Sequence, residues 1–294
     1  MTKSLAYVAV DCAADQMRVW QMDAAGNVLK AHQVAHDPEP LSAQAFEGNL
    51  LQLLKEDVPH AGALPVICTG PTGLDVRFEI APCKAPDASK MERMNVSDKR
   101  LAVWCVPGVA QRDPDDMMHL EAVQLAGFLA KYPKFDGVVC LPGAQSKWVR
   151  VSAEEIVSFQ TFLTGQLVDM LAQHSVVRAA VDTADVDKSA FLNSVSEAIS
   201  RPQSVAAKLY GLHAGHQLSK QSLTQGKSSL LGMMIGTELA GSRPYWLGMD
   251  IAIIGTSQDC ALYSEALSAQ GCLPKVYEGD AMTLAGMQLL FAGL

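Results

Sequence analysis

The feature that most constrains this chain occurs twice. A short apolar strand runs into a tight loop, and a second strand returns from it. In the first copy Leu5 to Val10 ends on Asp11, and Met17 to Met22 returns with the alternation of a half-buried strand. Val28 to Val34 alternates again after a hairpin turn built from Asp23, Gly26 and Asn27. In the second copy Phe135 to Leu141 leads into Pro142-Gly143-Ala144-Gln145, and Lys147 to Val151 returns, with Glu155 to Phe159 as a third strand. Helical spacing of apolar residues follows each copy: over 41–58 in the first, and over 160–174, 187–200, 203–219, 228–241 and about 257–270 in the second. Leu64–Cys68, Leu101–Val106, Ile251–Ile254 and 273–277 read as further strands, 84–100 as a polar surface excursion, and 281 onward as a last helix. Met117–Lys131 reads as a helix with Asp115 and Asp116 at its positive end. The economical fold is α/β in two halves, 1–134 and 135–294, with a cleft between them.

Composition excludes several alternatives. Lys and Arg total 23 against 31 Asp and Glu, a net charge of −8, and no basic stripe suggests a nucleic-acid surface. No apolar run approaches the roughly 18 residues that suggest a membrane span, and the N-terminus meets Asp11 too early for a secretory signal. Seven cysteines lie scattered without a Cys-x-x-Cys pair, which points to free thiols in a reducing cytoplasm. His213 and His216 lack a third ligand nearby and read as ordinary helix residues. Asp182, Asp185 and Asp187 read as a loop with a helix N-cap, and Met233 and Met234 as core.

Paired hairpin turns of this kind face ATP phosphates in the actin-like ATPase (ribonuclease H-like) fold shared by acetate kinase, hexokinase and actin. Glycine lets backbone approach the phosphates, hydroxyls donate to them, and an Asp manages magnesium. Asp11 to Asp15 stands at the first turn, Pro142 to Lys147 at the second, and Ile251 to Thr256 where the adenosine would be supported.

Longer stretches carry a more specific likeness. Phe135 to Gly143, Lys147 to Val151, Ser158 to Gly165, Leu231 to Gly241, Arg243 to Gly248 and Met282 to Gly286 resemble the 2-dehydro-3-deoxygalactonokinase family of sugar-acid kinases. The likeness spans nearly the whole chain and is thinner before residue 101. It implies ATP and Mg as cofactors and a small-molecule sugar acid as substrate, with no nucleic acid or membrane partner, a cytoplasmic location and a homodimer by base rate. It assigns catalysis to Asp11 and Glu121, with Asp11 holding magnesium indirectly. Nucleotide contacts fall to Ala13, Ala14, Asp15, Gly143, Ser146, Lys147, Gly232, Gly236, Gly255 and Thr256. Substrate contacts fall to Arg18, Gly70, Gly73, Arg150 and Thr164.

The chain departs from the family pattern on the chemistry itself. Asp-Trp-Gly-Thr becomes Asp11-Cys12-Ala13-Ala14, with Asp15 next, so a methyl replaces the closest-approach glycine and a carboxylate joins the turn. Like charges about 4 Å apart repel by around 1 kcal/mol in water and by more in a cleft, unless Asp15 binds magnesium. Gln145 replaces a histidine, Asp75 stands where the family has arginine, and Gln160 and Gln166 replace a further arginine and a glutamate. His119 also stands at an arginine position. Two readings follow: a kinase acting on a 2-keto-3-deoxy sugar acid, and a catalytically impaired relative that binds a ligand or partner. The general base is open among Asp11, Asp15, Asp116 and Glu121.

Overall fold

The structure, a computed structural model, describes residues 4–13, 16–35, 42–70 and 77–294. Ala14, Asp15, Gly73 and Asp75 lie outside the described residues. The chain begins with β1 (Tyr7–Cys12), β2 (Gln16–Met22), β3 (Val28–Ala35), α1 (Ala43–Leu54) and β4 (Leu64–Thr69). It continues through β5 (Phe78–Ile80), β6 (Cys83–Lys84), β7 (Glu92–Arg93), β8 (Leu101–Cys105), β9 (Gly108–Arg112), β10 (Asp115–Met118) and α2 (Leu120–Lys131). The second hairpin is β11 (Gly137–Leu141), β12 (Ser146–Ser152) and β13 (Glu155–Phe162). Then come α3 (Thr164–His174), α4 (Lys188–Ser200), α5 (Val205–Gln217), α6 (Leu223–Gly241) and α7 (Arg243–Trp246). β14 (Ile251–Gly255), α8 (Ser257–Ser268), β15 (Lys275–Glu278) and α9 (Gly279–Ala292) complete it.

The same strand plan is built twice. In one sheet the order is β3-β2-β1-β4-β8-β7, with β1 antiparallel to β2 and parallel to β4. In another, the order β15-β14-β11-β12-β13 repeats it, with β11 antiparallel to β12 and parallel to β14. Each hairpin thus donates its first strand to a parallel row, the topology that gathers carboxyl strand ends where ligands bind in open α/β sheets.

The chain divides into two compact units: Met1–Phe135 with Ala153–Val157 and Gly279–Leu294, and Asp136–Ser152 with Ser158–Glu278. The last helix therefore differs from the expectation of halves at 1–134 and 135–294. Helix α9 packs on α2, where a Cβ on Gly127 would meet Met282 O at 2.2 Å and one on Gly286 would meet Val123 O at 2.2 Å. Two glycines from sequence-distant segments let these backbones touch.

In the first unit, sheet register sorts the side chains. Val8, Val10, Cys12, Val66, Cys68 and Val103 face Phe46, Leu50 and Leu54 of α1. Tyr7, Ala9, Trp20, Met22 and Ile67 face Val123 of α2 and Met287 and Leu290 of α9. In the second unit Val138, Cys140, Trp148, Ile251 and Ile253 pack against α4, α6 and α8.

Three elements depart from the sequence expectation. Asp115–Met118 is a strand, because it pairs antiparallel with β9, so α2 begins at Leu120 and the acid in its first turn is Glu121. Residues 155–162 extend as β13, which delays α3 to Thr164. The stretch 84–100 is not wholly superficial: Met91 and Met94 are buried, and β7 pairs with β8.

Candidate functional site

Asp11 is the last-but-one residue of β1. Its Cα partners are Arg18 on β2 and Thr69 on β4, so the three side chains form one row across three adjacent strands. The row lies on the face covered by α2 and α9, just beyond Tyr7, Ala9, Trp20 and Ile67.

Asp11 is buried, and its Oδ2 accepts from Arg18 Nε at 2.9 Å and Nη2 at 2.8 Å. Arg18 Nη1 also donates to Asp280 Oδ1 at 2.7 Å, and the guanidinium lies 5.0 Å from the Trp20 ring centroid. Burial pushes the Asp11 carboxyl above its ordinary value; Arg18 opposes this, while Glu121 and Asp280 add to it. Glu121 and Asp280 sit in the first turns of α2 and α9, where the helix dipoles favour negative charge. Glu121 also accepts from His119 N at 3.2 Å, and Gln124 Nε2 donates to Thr283 Oγ1 at 3.2 Å.

Thr69 completes the row. It is buried, and among the described residues its hydroxyl has no hydrogen-bond partner. A buried unpaired hydroxyl carries a desolvation cost unless a ligand meets it. The next residue, Gly70, has φ +99°, and a Cβ there would lie 1.9 Å from Cys12 O. Only glycine lets the end of β4 come so close to the end of β1. Ala13 N donates to Gln16 O at 2.9 Å, closing the hairpin beside it.

In the second unit the β11–β12 turn stands beside two other chain segments. Gln166 N donates to Ala144 O at 2.9 Å, and a Cβ on Gly165 would meet Gly143 O at 2.4 Å, so the start of α3 abuts the turn. A Cβ on Gly255, at the end of β14, would lie 3.1 Å from Pro142 Cγ. Around Gly143 a Cβ would meet nothing within 4 Å, which leaves that backbone open to a ligand. Thr256 caps α8, accepting from Asp259 N at 3.2 Å. Lys147 is buried, and its Nζ donates to Thr161 Oγ1 at 3.3 Å.

Several expected contacts sit elsewhere. Ser146 points inward and donates to Glu238 Oε2 at 2.7 Å, and Thr164 bonds the same carboxylate, so both hydroxyls support the turn from beneath. Gly232 and Gly236 are packing glycines: a Cβ would meet Phe191 O at 2.4 Å and Val195 O at 2.6 Å on α4, leaving no room for a nucleotide. Arg150 pairs with Asp136 at 2.9 Å. It lies four residues from Ser146, roughly 13 Å along the strand at 3.3 Å per residue, at the far end of the hairpin from the turn. Asp116 lies on β10 and bonds Met117 N. His119 packs on the Phe78 ring at 5.1 Å. Asp187 does cap α4, accepting from Ala190 N at 2.9 Å.

The sequence reading passed over Thr69, Asp280, Thr283 and Glu238. Thr69 directly precedes Gly70 in the sequence, which was its only local signal. Asp280 gave no local signal, because its partner Arg18 is 262 residues away. None of the seven cysteines forms a disulfide, and Cys68 and Cys105 approach to 3.3 Å across β4 and β8. Among the described residues no group of three or more His, Cys, Asp or Glu could hold a metal ion by itself. A cavity of about 580 Å³ lies between β3 and α1, lined in part by Lys30, His32 and Asn49. It shares no residue with the Asp11 row.

With this geometry in hand, comparison with known proteins is informative. A family model described as 2-keto-3-deoxy-galactonokinase matches residues 11–290. A relative from Rhizobium meliloti named probable 2-dehydro-3-deoxygalactonokinase is 29% identical, over 98% of this chain and 97% of its own. The 2-dehydro-3-deoxygalactonokinase of Escherichia coli is 26% identical over 96% of each chain. A crystal structure from Sinorhizobium meliloti, described as a putative 2-dehydro-3-deoxygalactonokinase, superposes with a TM-score of 0.82 at 26% identity, covering 96% of each chain. Component A of the Acidaminococcus fermentans (R)-2-hydroxyglutaryl-CoA dehydratase is alike in fold alone, with a TM-score of 0.51 at 12% identity.

Proposed function

The chain belongs to the 2-keto-3-deoxy-galactonokinase family, and on that premise we propose that it transfers the γ-phosphoryl group of ATP to a hydroxyl of a 2-keto-3-deoxy sugar acid. The observation that carries the reading is the Asp11–Arg18–Thr69 row at the carboxyl ends of parallel strands, where such sheets bind ligands.

In this reading Asp11 accepts the proton of the attacking hydroxyl. Burial raises its pKa, the direction that makes a carboxylate a stronger base. Arg18 places both of its hydrogen bonds on Oδ2, so the substrate hydroxyl would approach Asp11 through Oδ1. Thr69 Oγ1 meets a second polar group of the sugar acid. The substrate oxygen bonds to the γ-phosphorus, the bond to the β-phosphate oxygen breaks, and ADP carries the displaced charge.

The Gly143 backbone and Lys147 contact phosphates, and Gly255 and Thr256 lie on the adenosine side. Magnesium fits the donor set: this ion takes one or two hard carboxylates plus substrate phosphates and keeps several waters, so no protein-only cage is required. Asp11 and Glu121 would hold it through water, and it would neutralise charge on the transferred group. No observation favours the impaired-relative alternative. Among the described residues no helix is long and apolar enough to cross a membrane. Dimerisation is proposed on the prevalence of two-fold homo-oligomers alone.

The test is an ADP-release assay with ATP, magnesium and 2-keto-3-deoxygalactonate, with the product followed by phosphorus NMR. The expected result is one phosphorylated acid per ADP. A folded protein that consumes no ATP with this acid or its stereoisomers overturns the proposal.

A further inference from the structure

One buried carboxylate in the second unit is not used by the reaction just described. Glu238 lies on α6, two residues after Gly236, and is almost wholly enclosed. Its Oε1 accepts from Trp148 Nε1 at 2.8 Å, and its Oε2 accepts from Ser146 Oγ and from Tyr263 OH, both at 2.7 Å. The Thr164 side chain supplies a fourth hydrogen bond. An isolated buried carboxylate is costly, and one that accepts several hydrogen bonds is held in place by them.

What those four donors belong to gives the cluster its meaning. Ser146 and Trp148 share one face of β12, whose first residues leave the Pro142–Gln145 turn. Thr164 opens α3, the helix whose Gly165 and Gln166 touch that turn. Tyr263 stands on α8, the helix that follows Gly255 and Thr256. Strand alternation sends Lys147 to the opposite face of β12 from Ser146 and Trp148. Fixing those two side chains therefore fixes the direction of Lys147. On the same helix, Gly232 and Gly236 bring α6 against α4 at glycine distance.

We propose that Glu238 is a positioning residue for ATP: by accepting from β12, α3 and α8 at once, it sets where the Gly143 backbone, Lys147 and the Gly255–Thr256 segment stand. The inference rests on the kinase reading, and it concerns the nucleotide rather than the sugar acid.

Glu238→Gln tests it with least damage. The amide oxygen can still accept from Trp148, which cannot reverse its bond, while the amide NH2 must donate to hydroxyls that formerly donated. Thr164→Val and Tyr263→Phe remove single donors. Ser228→Ala serves as a control: its buried hydroxyl bonds Thr224 O and Asp187 N elsewhere in the same unit.

Each protein is assayed for thermal stability, for ATP binding by titration calorimetry, and for KM towards each substrate. Displaced catalytic contacts cost factors of ten to a hundred, so Glu238→Gln should weaken ATP binding and raise its KM by about tenfold. Thr164→Val and Tyr263→Phe should shift ATP in the same direction. The sugar-acid KM should stay unchanged, and Ser228→Ala should lower stability without moving either KM. Equal ATP affinity in wild type and all three network variants, or equal losses for both substrates, would overturn the inference while leaving the kinase reading intact. A wild-type protein that binds no nucleotide would instead overturn the kinase reading, and this inference with it.

Discussion

Arg18→Met removes both N–H donors from Asp11 Oδ2, at 2.9 and 2.8 Å, and strands a carboxylate whose side chain is 3% exposed. Removing one partner of a buried ion pair costs about 3–5 kcal/mol. That cost has a ceiling, because Asp11 can take up a proton instead of staying charged. Protonating a carboxyl of ordinary pKa near 3.9 at pH 7 costs about 4 kcal/mol, at about 1.4 kcal/mol per pH unit. The variant should therefore lose about 3–4 kcal/mol of stability at pH 7.

The pH dependence follows from the direction of the shift. Asp11 already titrates above its unfolded value, and losing the guanidinium raises it further. A carboxyl so raised contributes stability that is complete below its unfolded pKa and is lost as pH rises through the folded one. The penalty of Arg18→Met should thus grow as pH rises above the unfolded value, by up to about 1.4 kcal/mol per unit, until the stranded carboxyl ionises. Urea unfolding followed by Trp20 and Trp104 fluorescence measures it. In an Asp11→Asn background there is no charge to strand, so the pH-dependent part should vanish and only the contacts with Asp280 and Trp20 remain. A penalty that does not change with pH over the whole range in which both proteins fold, or a slope that persists in that background, would refute the account of the pair.

Four further substitutions probe the rest of the frame. Gly70→Ala should lower stability by at least about 2 kcal/mol in urea unfolding, since alanine is strained at φ +99° and its Cβ would strike Cys12 O. Thr69→Val keeps the shape and deletes an unpaired buried hydroxyl, so the thermal midpoint should hold or rise while the sugar-acid KM increases about tenfold; an unchanged KM removes Thr69 from the site. Two helix glycines should respond with opposite signs. Gly211→Ala on α5 meets nothing within 4 Å and should stabilise by about 0.5–1 kcal/mol, whereas Gly236→Ala should destabilise despite the same gain in helix propensity, because its Cβ would lie 2.6 Å from Val195 O.

Much of the fold was legible because it is written locally. The alternation in 17–22 and 28–34, the Asp23–Asn27 turn and the Pro142–Gln145 turn each carry their own conformational preference, and the strands came out where those signals lie. Asp11, Arg18, Gly70 and Gly143 stood at strand ends and turns, and the structure keeps them there. The roles of individual side chains were less legible. Ser146 and Lys147 are neighbours in sequence, yet one strand step turns them to opposite faces, and only packing decides which face meets Glu238. Asp115 and Asp116 have the composition of a helix start, but pairing with β9 drew them into a strand, since a ladder partner outweighs a weak local preference.

The sequence alone determined the repeated strand–turn–strand plan, the helices with marked apolar spacing, and kinship with the sugar-acid kinases, because each depends on residues close together along the chain. The tertiary structure alone decided that α9 returns to the first unit, that Arg18 bridges Asp11 and Asp280, and that Gly232, Gly236 and Glu238 serve helix packing and a buried hydrogen-bond centre. Those outcomes depend on backbone approach and on the desolvation of a few charged groups. Such quantities exist only once distant segments are brought together, so no local pattern encodes them.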